Sequence, residues 1–384
     1  MTDKELFLMR MDALVERLKE TLRAVEAVKA INNYLYRRAA AEFQLRINDK
    51  LKEIQAQRSM IKDNFDSAEW RAQQDCEQNC SALFQECLAF LQAAHTRGQD
   101  VDAYLCVLAD ALLDELAKVT EITWNRFTVL ASEEFFFDMA QIIRLRFPVC
   151  GIWDLPVSAH EFGHFVAGRL NRAKLDGIGH ELPFQKYKEA FKQQHPEGGD
   201  KWMFYLEEFF ADIFATYTLG PAYACTCLLL RFYPASAQHG LDNRHPPDSW
   251  RAQAILQTLR YMNMEQDSKG RSKLPVDQLE KFWTETLDSA GVVVDVSEYD
   301  TINGIVSSLY PDLCAAVPHA RFNRWASALD MYSWLGRTPP SQTPPPDFNI
   351  SDLLNAAWLC RLGPDTDPTQ LSKTVIGLCQ TAAR

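Results

Sequence analysis

The sequence predicts a mainly α-helical fold with little or no β-sheet, and three observations carry that reading. Apolar residues recur three and four positions apart, as in Leu14, Leu18, Val25 and Val28 or Ile47, Leu51 and Ile54, a spacing that lays one apolar stripe along a helix. Helix punctuation brackets these stretches: Asp66 with Glu69 reads as a capping box, and Gly98 followed by Asp100 as a stop and a new start. Composition fits a folded globular chain throughout, because 47% hydrophobic against 24% charged residues is far from the balance of a disordered one.

Taken in order, residues from about Lys4 to Ile61 read as a long amphipathic helix or a helical hairpin, followed by a second helix after Asp66. A third helix is expected over "VDAYLCVLADALLDELAKVTEITWNRFTVLA", and a fourth from near Ser132, carrying "EEFFFDMAQIIRL" up to Pro148. The stretch "FPVCGIWDLP" has proline at both ends and Gly151 within, which suits a short strand or extended lead-in before Pro156 opens the next helix. Beyond that helix, "LDGIGHELPF" and "HPEGGDKW" read as loops around a short helical "QKYKEAFKQQ". A helix from Trp202 to about Leu219 ends at Gly220-Pro221, and others take up "AYACTCLLLRFY" and "SWRAQAILQTLRYM". From about Asn263 helical patterns alternate with loops, including a Pro-rich stretch at 337–347. The expected organisation is a helical region at 1–145, a central core at 146–262 and a helical C-terminal region at 263–384.

Charge and cysteine usage narrow the function classes. Forty Lys plus Arg against 51 Asp plus Glu leave a net charge of −11, so nucleic acid is not expected as a partner. The N-terminus is charged every few residues and lacks the pattern of a signal peptide. The most apolar long segment, "FFADIFATYTLGPAYACTCLLL", is broken by Asp212, Gly220 and Pro221, so no membrane span is expected. Ten cysteines without a C-x-x-C pair are expected to stay reduced in a cytoplasmic protein. Of these, Cys76, Cys80 and Cys87 recur at helical spacing and read as small core-facing thiols, with a structural zinc cluster as the rival reading.

One stretch carries chemistry. In "VSAHEFGHFVAG", His160 and His164 are four apart, so on a helix both imidazoles can reach one point. That is half a tetrahedral zinc site, and Glu161, rotated roughly 100° from His160, could take a proton from a water at the metal. Gly163 would let another element approach closely. H-E-x-x-H alone is short enough to recur by chance, and the competing reading is a pair of core histidines with partners elsewhere, so a third ligand discriminates. The metzincin pattern fails, because Ala167 and Leu170 stand where it needs Gly and His. Downstream, "YLEEFFADIFA" puts Glu208 and Asp212 four apart among Phe209, Phe210, Ile213 and Phe214. A helix this apolar should be buried, and a buried carboxylate needs a cation. Glu208 is the expected ligand, with Asp212 fixing the tautomer of a ligand histidine; Glu207 is the adjacent alternative.

"HEFGH", then "EFFADIFA", then "HPPDSWR" resembles the ordered motif set of the HtpX-like and CAAX-prenyl-protease gluzincins. The resemblance covers about Pro148 to Leu256 and implies a helical zinc peptidase core acting on polypeptides. It also implies that His245 or Arg251 lies near the cleft, where either could stabilise an oxyanion; a tyrosine such as Tyr233 is a further candidate for that role. A packing salt bridge is the other reading of Arg251. Members of those families are commonly membrane-embedded, so this chain reads as a soluble relative.

The expectation is therefore a zinc-dependent endopeptidase with Zn2+ on His160, His164 and Glu208, and with Glu161, Asp212, His245 and Arg251 assisting. Its partners would be a protein or peptide substrate and a regulatory protein bound through the helical flanks, so that the enzyme could be latent until that partner binds. The alternative is a catalytically inactive interaction or sensor protein with a structural zinc site.

Overall fold

A computed structural model describes residues 3–28, 34–60, 67–97, 105–124, 128–131, 135–137, 142–146, 151–167, 187–189, 201–234, 237, 245–268, 272–293, 297–337, 344–363 and 366–382. The fold is mainly α, and its contacts divide the chain into two units, each described by itself below. One comprises Met1–Cys106 and Asn125–Phe147, the other Val107–Trp124 and Pro148–Arg384.

In the first unit the amphipathic N-terminal stretch forms two helices, α1 (Asp3–Val28) and α2 (Tyr34–Met60), and α3 (Ser67–Arg97) packs on both. Met11, Leu14 and Leu18 of α1, Phe43, Ile47 and Ile54 of α2, and Cys76, Cys80, Cys87 and Phe90 of α3 share one core. The three thiols are thus small packing residues, and among the described residues they belong to no metal-binding group. Asp66, Gly98 and Asp100 lie outside the described residues, although α3 begins and ends next to them.

Two expected helices are corrected in the same region. α4 (Leu105–Thr120) stops well short of Ala131, and Thr128–Ala131 is strand β1. The helix ends because Glu121 takes φ 56, and Ile122 and Glu121 then donate their N–H groups to the Ala117 and Lys118 carbonyls at 3.1 and 3.3 Å. That pair of bonds is a Schellman cap, which closes a helix by reversing the chain. The segment after Ser132 forms β2 (Phe135–Phe137) and β3 (Ile142–Arg146) instead of a helix. β3 is central, parallel to β1 and antiparallel to β2. Three adjacent phenylalanines and an Ile-Ile pair favour the pleated surface over a helix stripe. Ile143 is fully buried opposite Thr128.

The second unit holds the motif helices. Gly151–Trp153 is a tight 3-10 turn, not the expected strand, because Ile152, Trp153 and Leu155 must all turn inward. Pro156 then precedes α5 (Val157–Ala167) and its carbonyl accepts from Ala159 N–H at 3.1 Å. α6 (Lys201–Leu219) follows, then α7 (Pro221–Thr226) running into a π-turn at Cys227–Arg231. The unit is completed by α8 (Asp248–Asp267), α9 (Val276–Ser289), α10 (Ser297–Ala316), α11 (Trp325–Leu335), α12 (Ile350–Arg361) and α13 (Pro368–Ala382). The stretches "LDGIGHELPF" and "HPEGGDKW" lie outside the described residues apart from Lys201 and Trp202.

No boundary falls near 262, because α8 runs straight across it and the later helices pack on the motif helices. The break at Gly220, with φ 62, shows why. Breaking the helix there orphans backbone groups that must find partners when buried. Asn355 of α12 supplies both: its Nδ2 donates to Leu219 O at 2.8 Å and its Oδ1 accepts from Ala222 N–H at 2.9 Å. Tyr217 similarly donates to Val317 O at 3.1 Å, and Phe322 N–H to Tyr217 O at 2.8 Å. The C-terminal region is therefore part of the scaffold that holds α6.

α4 belongs to this unit from Val107 on and makes a charged contact within it. Ile350 N–H, at the start of α12, donates to Glu115 Oε1 at 3.3 Å. Burial pushes the Glu115 carboxyl up to about 7, against the opposing pull of the Ile350 N–H. Because the folded value exceeds the unfolded one, the contribution is full below about 4.5 and is lost as pH rises through about 7. The melting temperature should therefore fall between pH 5 and pH 8 more steeply in the wild type than in Glu115→Gln. Parallel thermal-unfolding curves for the two would refute this.

α5 and α6 cross at Gly163. A Cβ there would stand 2.9 Å from Ala211 Cα, closer than backbone can accept without shifting. Gly163→Ala should separate the helices and cost about 1–3 kcal/mol, read as a lowered urea midpoint.

Candidate metal centre

Gly163 lies between His160 and His164 on α5, and Ala211 lies between Glu208 and Asp212 on α6. The close crossing of these two small residues brings the four polar side chains together. Around it, Phe162, Phe209, Phe210 and Phe214 are fully buried, and Trp124 packs edge-on against Phe162 and Phe165 at 5.3 and 4.9 Å. Among these neighbours the side chains of His160, Glu208 and His164 are 6%, 12% and 20% exposed.

Two imidazole nitrogens and both oxygens of Glu208 meet at the crossing. His160 Nε2 and His164 Nε2 are 3.2 Å apart, and Glu208 approaches them with Oε2 at 3.3 Å and Oε1 at 3.4 Å respectively. A tetrahedral ion with bonds of about 2.0–2.1 Å holds its ligand atoms about 3.3–3.4 Å apart. The nitrogen pair and the approach of one Glu208 oxygen to each histidine have this length, and one ligand atom from each residue lies within 4.8 Å of the others, so the residues present fit a single metal ion. Two further observations agree with that fit. Facing imidazole lone pairs repel unless a proton or cation lies between them, and the buried Glu208 Oε2 has no hydrogen-bond partner. Among the described residues this is the group of three or more His, Cys, Asp or Glu side chains able to hold an ion.

Behind His160 sits a second layer of bonds. Its Nδ1 lies 3.0 Å from Asp212 Oδ1, and Asp212 is fully buried. Arg251 clamps the same carboxylate, with Nε on Oδ2 and Nη2 on Oδ1, each at 2.8 Å. Burial alone would raise Asp212, but the Arg251 charge and bonds, then those of His160, hold it down at about 2. For Glu208 burial also pushes upward, and the charge of His164 with the closeness of both histidines takes it well below its usual value. Burial pulls His160 down, yet Asp212 and then Glu208 outweigh it and lift the imidazole to about 9.

The remaining expected residues fall as follows. Glu161 is buried beside His160. Glu207 pairs with Lys188, so Glu208 is the carboxylate in the cluster. His245 lies at the rim, its side chain 41% exposed and its Nε2 3.9 Å from Glu208 Oε1. Arg251 is mostly buried and forms the packing salt bridge with Asp212, and its Nη2 also borders the cluster, 3.5 Å from His160 Nε2 and 3.6 Å from Glu208 Oε2. Tyr233 is 62% exposed, and its described hydrogen bond is from its backbone N–H to Asp248 Oδ2. His180, His195 and His239 lie outside the described residues.

Sequence reasoning missed Tyr223. Its hydroxyl donates to Asp212 Oδ1 at 2.6 Å and lies 3.1 Å from His160 Nδ1, and its ring is nearly parallel to that of His160. Burial first, then the Asp212 charge, keep its phenol far above the ordinary range, so it stays neutral. The signal available was a tyrosine among small residues in "GPAYAC", eleven positions after Asp212.

Compared with known protein families, with curated proteins and with solved structures, the chain matches none. The site is read from its geometry alone.

Removing one member of a buried ion pair strands the other charge, at a cost of about 3–5 kcal/mol. Arg251→Met should lose stability on that scale in chemical denaturation, because Asp212 is fully buried. A loss under about 1 kcal/mol, the level of a surface pair, would show that the clamp is not formed.

Proposed function

We propose that this chain is a zinc-dependent endopeptidase in which His160, His164 and Glu208 hold the ion and Glu161 moves the proton. The observation carrying this reading is the convergence of His160 Nε2, His164 Nε2 and the Glu208 carboxylate: the nitrogens are 3.2 Å apart, and one Glu208 oxygen lies 3.3 Å from the first and the other 3.4 Å from the second. Two imidazoles and one carboxylate are a donor set of catalytic zinc, which takes three side chains and leaves a position for water or substrate. When bound, zinc supplies Lewis acidity to the scissile carbonyl and lowers the pKa of a water molecule.

This chain's own residues do the rest. Glu161 follows His160 on the helix and is buried in the same apolar surroundings. It accepts a proton from the attacking water as the carbon–oxygen bond forms, and delivers it to the amine nitrogen as the carbon–nitrogen bond breaks. Asp212 holds the Nδ1 edge of His160, so that Nε2 faces the other ligands. His245, half-exposed beside Glu208, is placed to donate to the carbonyl oxygen as negative charge develops on it. The polypeptide substrate class comes from the ordered motifs "HEFGH", "EFFADIFA" and "HPPDSWR". No helix among the described residues is long and apolar enough to cross a membrane.

The test pairs metal analysis with digestion of an unfolded protein such as casein. Wild type should carry one zinc per chain and cleave in a chelator-sensitive way. Glu161→Gln should keep its zinc and lose about 10²–10⁴-fold in kcat/KM, whereas Glu208→Ala should lose the metal. Full activity in Glu161→Gln would sink the hydrolase reading.

A further inference from the structure

Tyr223 is a completely buried phenol whose oxygen serves two groups at once. It is 2.6 Å from Asp212 Oδ1 and 3.1 Å from His160 Nδ1. Hydrogen donation can satisfy only one of them. An ionised carboxylate accepts and never donates, so the phenolic hydrogen goes to Asp212. The phenol oxygen then turns its lone pairs toward His160 Nδ1, which also faces Asp212 Oδ1 at 3.0 Å. Two acceptors converge on one ring nitrogen, and both are satisfied only if that nitrogen carries hydrogen.

We infer that Tyr223 is a positioning residue for the metal centre: with Asp212 it locks His160 in the Nδ1–H tautomer, leaving the Nε2 lone pair for the ion. This inference rests on the zinc reading above. A phenylalanine would fill the space and keep the near-parallel ring packing on His160, whose centroid is 6.2 Å away, so packing alone does not require the hydroxyl. Nor can the phenol reach a substrate, because it stands at the Nδ1 edge of His160 while His164 and Glu208 meet the Nε2 edge. Arg251 cannot replace it, since a guanidinium has no lone pair to offer an N–H. Asp212 alone would leave the ring held through one oxygen and freer to rotate.

The test compares wild type with Tyr223→Phe, a near-isosteric change. Zinc affinity, measured by competition with a chromophoric chelator, should weaken about 10- to 100-fold, the usual effect of removing a partner of a ligating histidine. Circular dichroism and the melting temperature of the metal-free protein report any purely structural effect. In cobalt-loaded protein, the paramagnetically shifted ring N–H of His160 should exchange slowly with solvent in wild type and faster in the variant. Zinc affinity within twofold of wild type would overturn the assignment, as would a rapidly exchanging ring N–H in the wild type, a measurement that stands even if the variant does not fold. Wild type that binds no zinc overturns both this inference and the peptidase reading. Weakened zinc binding in Tyr223→Phe beside full activity in Glu161→Gln would remove the hydrolase alone.

Discussion

Asp212 is a carboxylate with no exposure to solvent, and three elements besides its own converge on it. Arg251 reaches it from α8, Tyr223 from α7 and His160 from α5. An ionised carboxylate in such surroundings is tolerable only when its lone pairs are filled by good donors. Each of those contacts fixes the direction of one helix relative to α6, so the need to satisfy one interior charge also dictates where the neighbouring histidine ring points. The Gly163–Ala211 contact makes this possible by letting the backbones approach closely enough for short side chains to meet.

The remainder of the second unit serves as scaffold for that crossing. α6 would be a free-ended helix after Leu219 were it not for Asn355, which closes the chain break at Gly220 from a residue far along the sequence. Tyr217 and Phe322 add backbone bonds on the same side. Rigid support matters for a metal centre because ligand atoms a few tenths of an ångström out of place no longer share one ion. His245, by contrast, sits at the exposed rim of the cluster.

Local patterns made much of the site legible. His160 with His164, and Glu208 with Asp212, each lie four apart, and helix geometry alone puts each pair on one face. The apolar run around Glu208 correctly marked a buried helix. Other features were not legible, for identifiable reasons. Tyr223 carries no spacing signature, since its partners lie on other helices. The region after Thr120 misled the helical reading because Glu121 adopts a left-handed backbone that a non-glycine residue rarely takes.

By itself the sequence determined the helical class, the two motif helices and the residue types able to bind a metal, because these depend on periodicity within single elements. Tertiary structure decided that Arg251 clamps Asp212 while its Nη2 borders His160 Nε2 and Glu208 Oε2, and that a tyrosine completes the network. Those outcomes depend on distances between elements remote in the chain, which are set by packing at the Gly163 crossing and by the demand that every buried polar group find a partner.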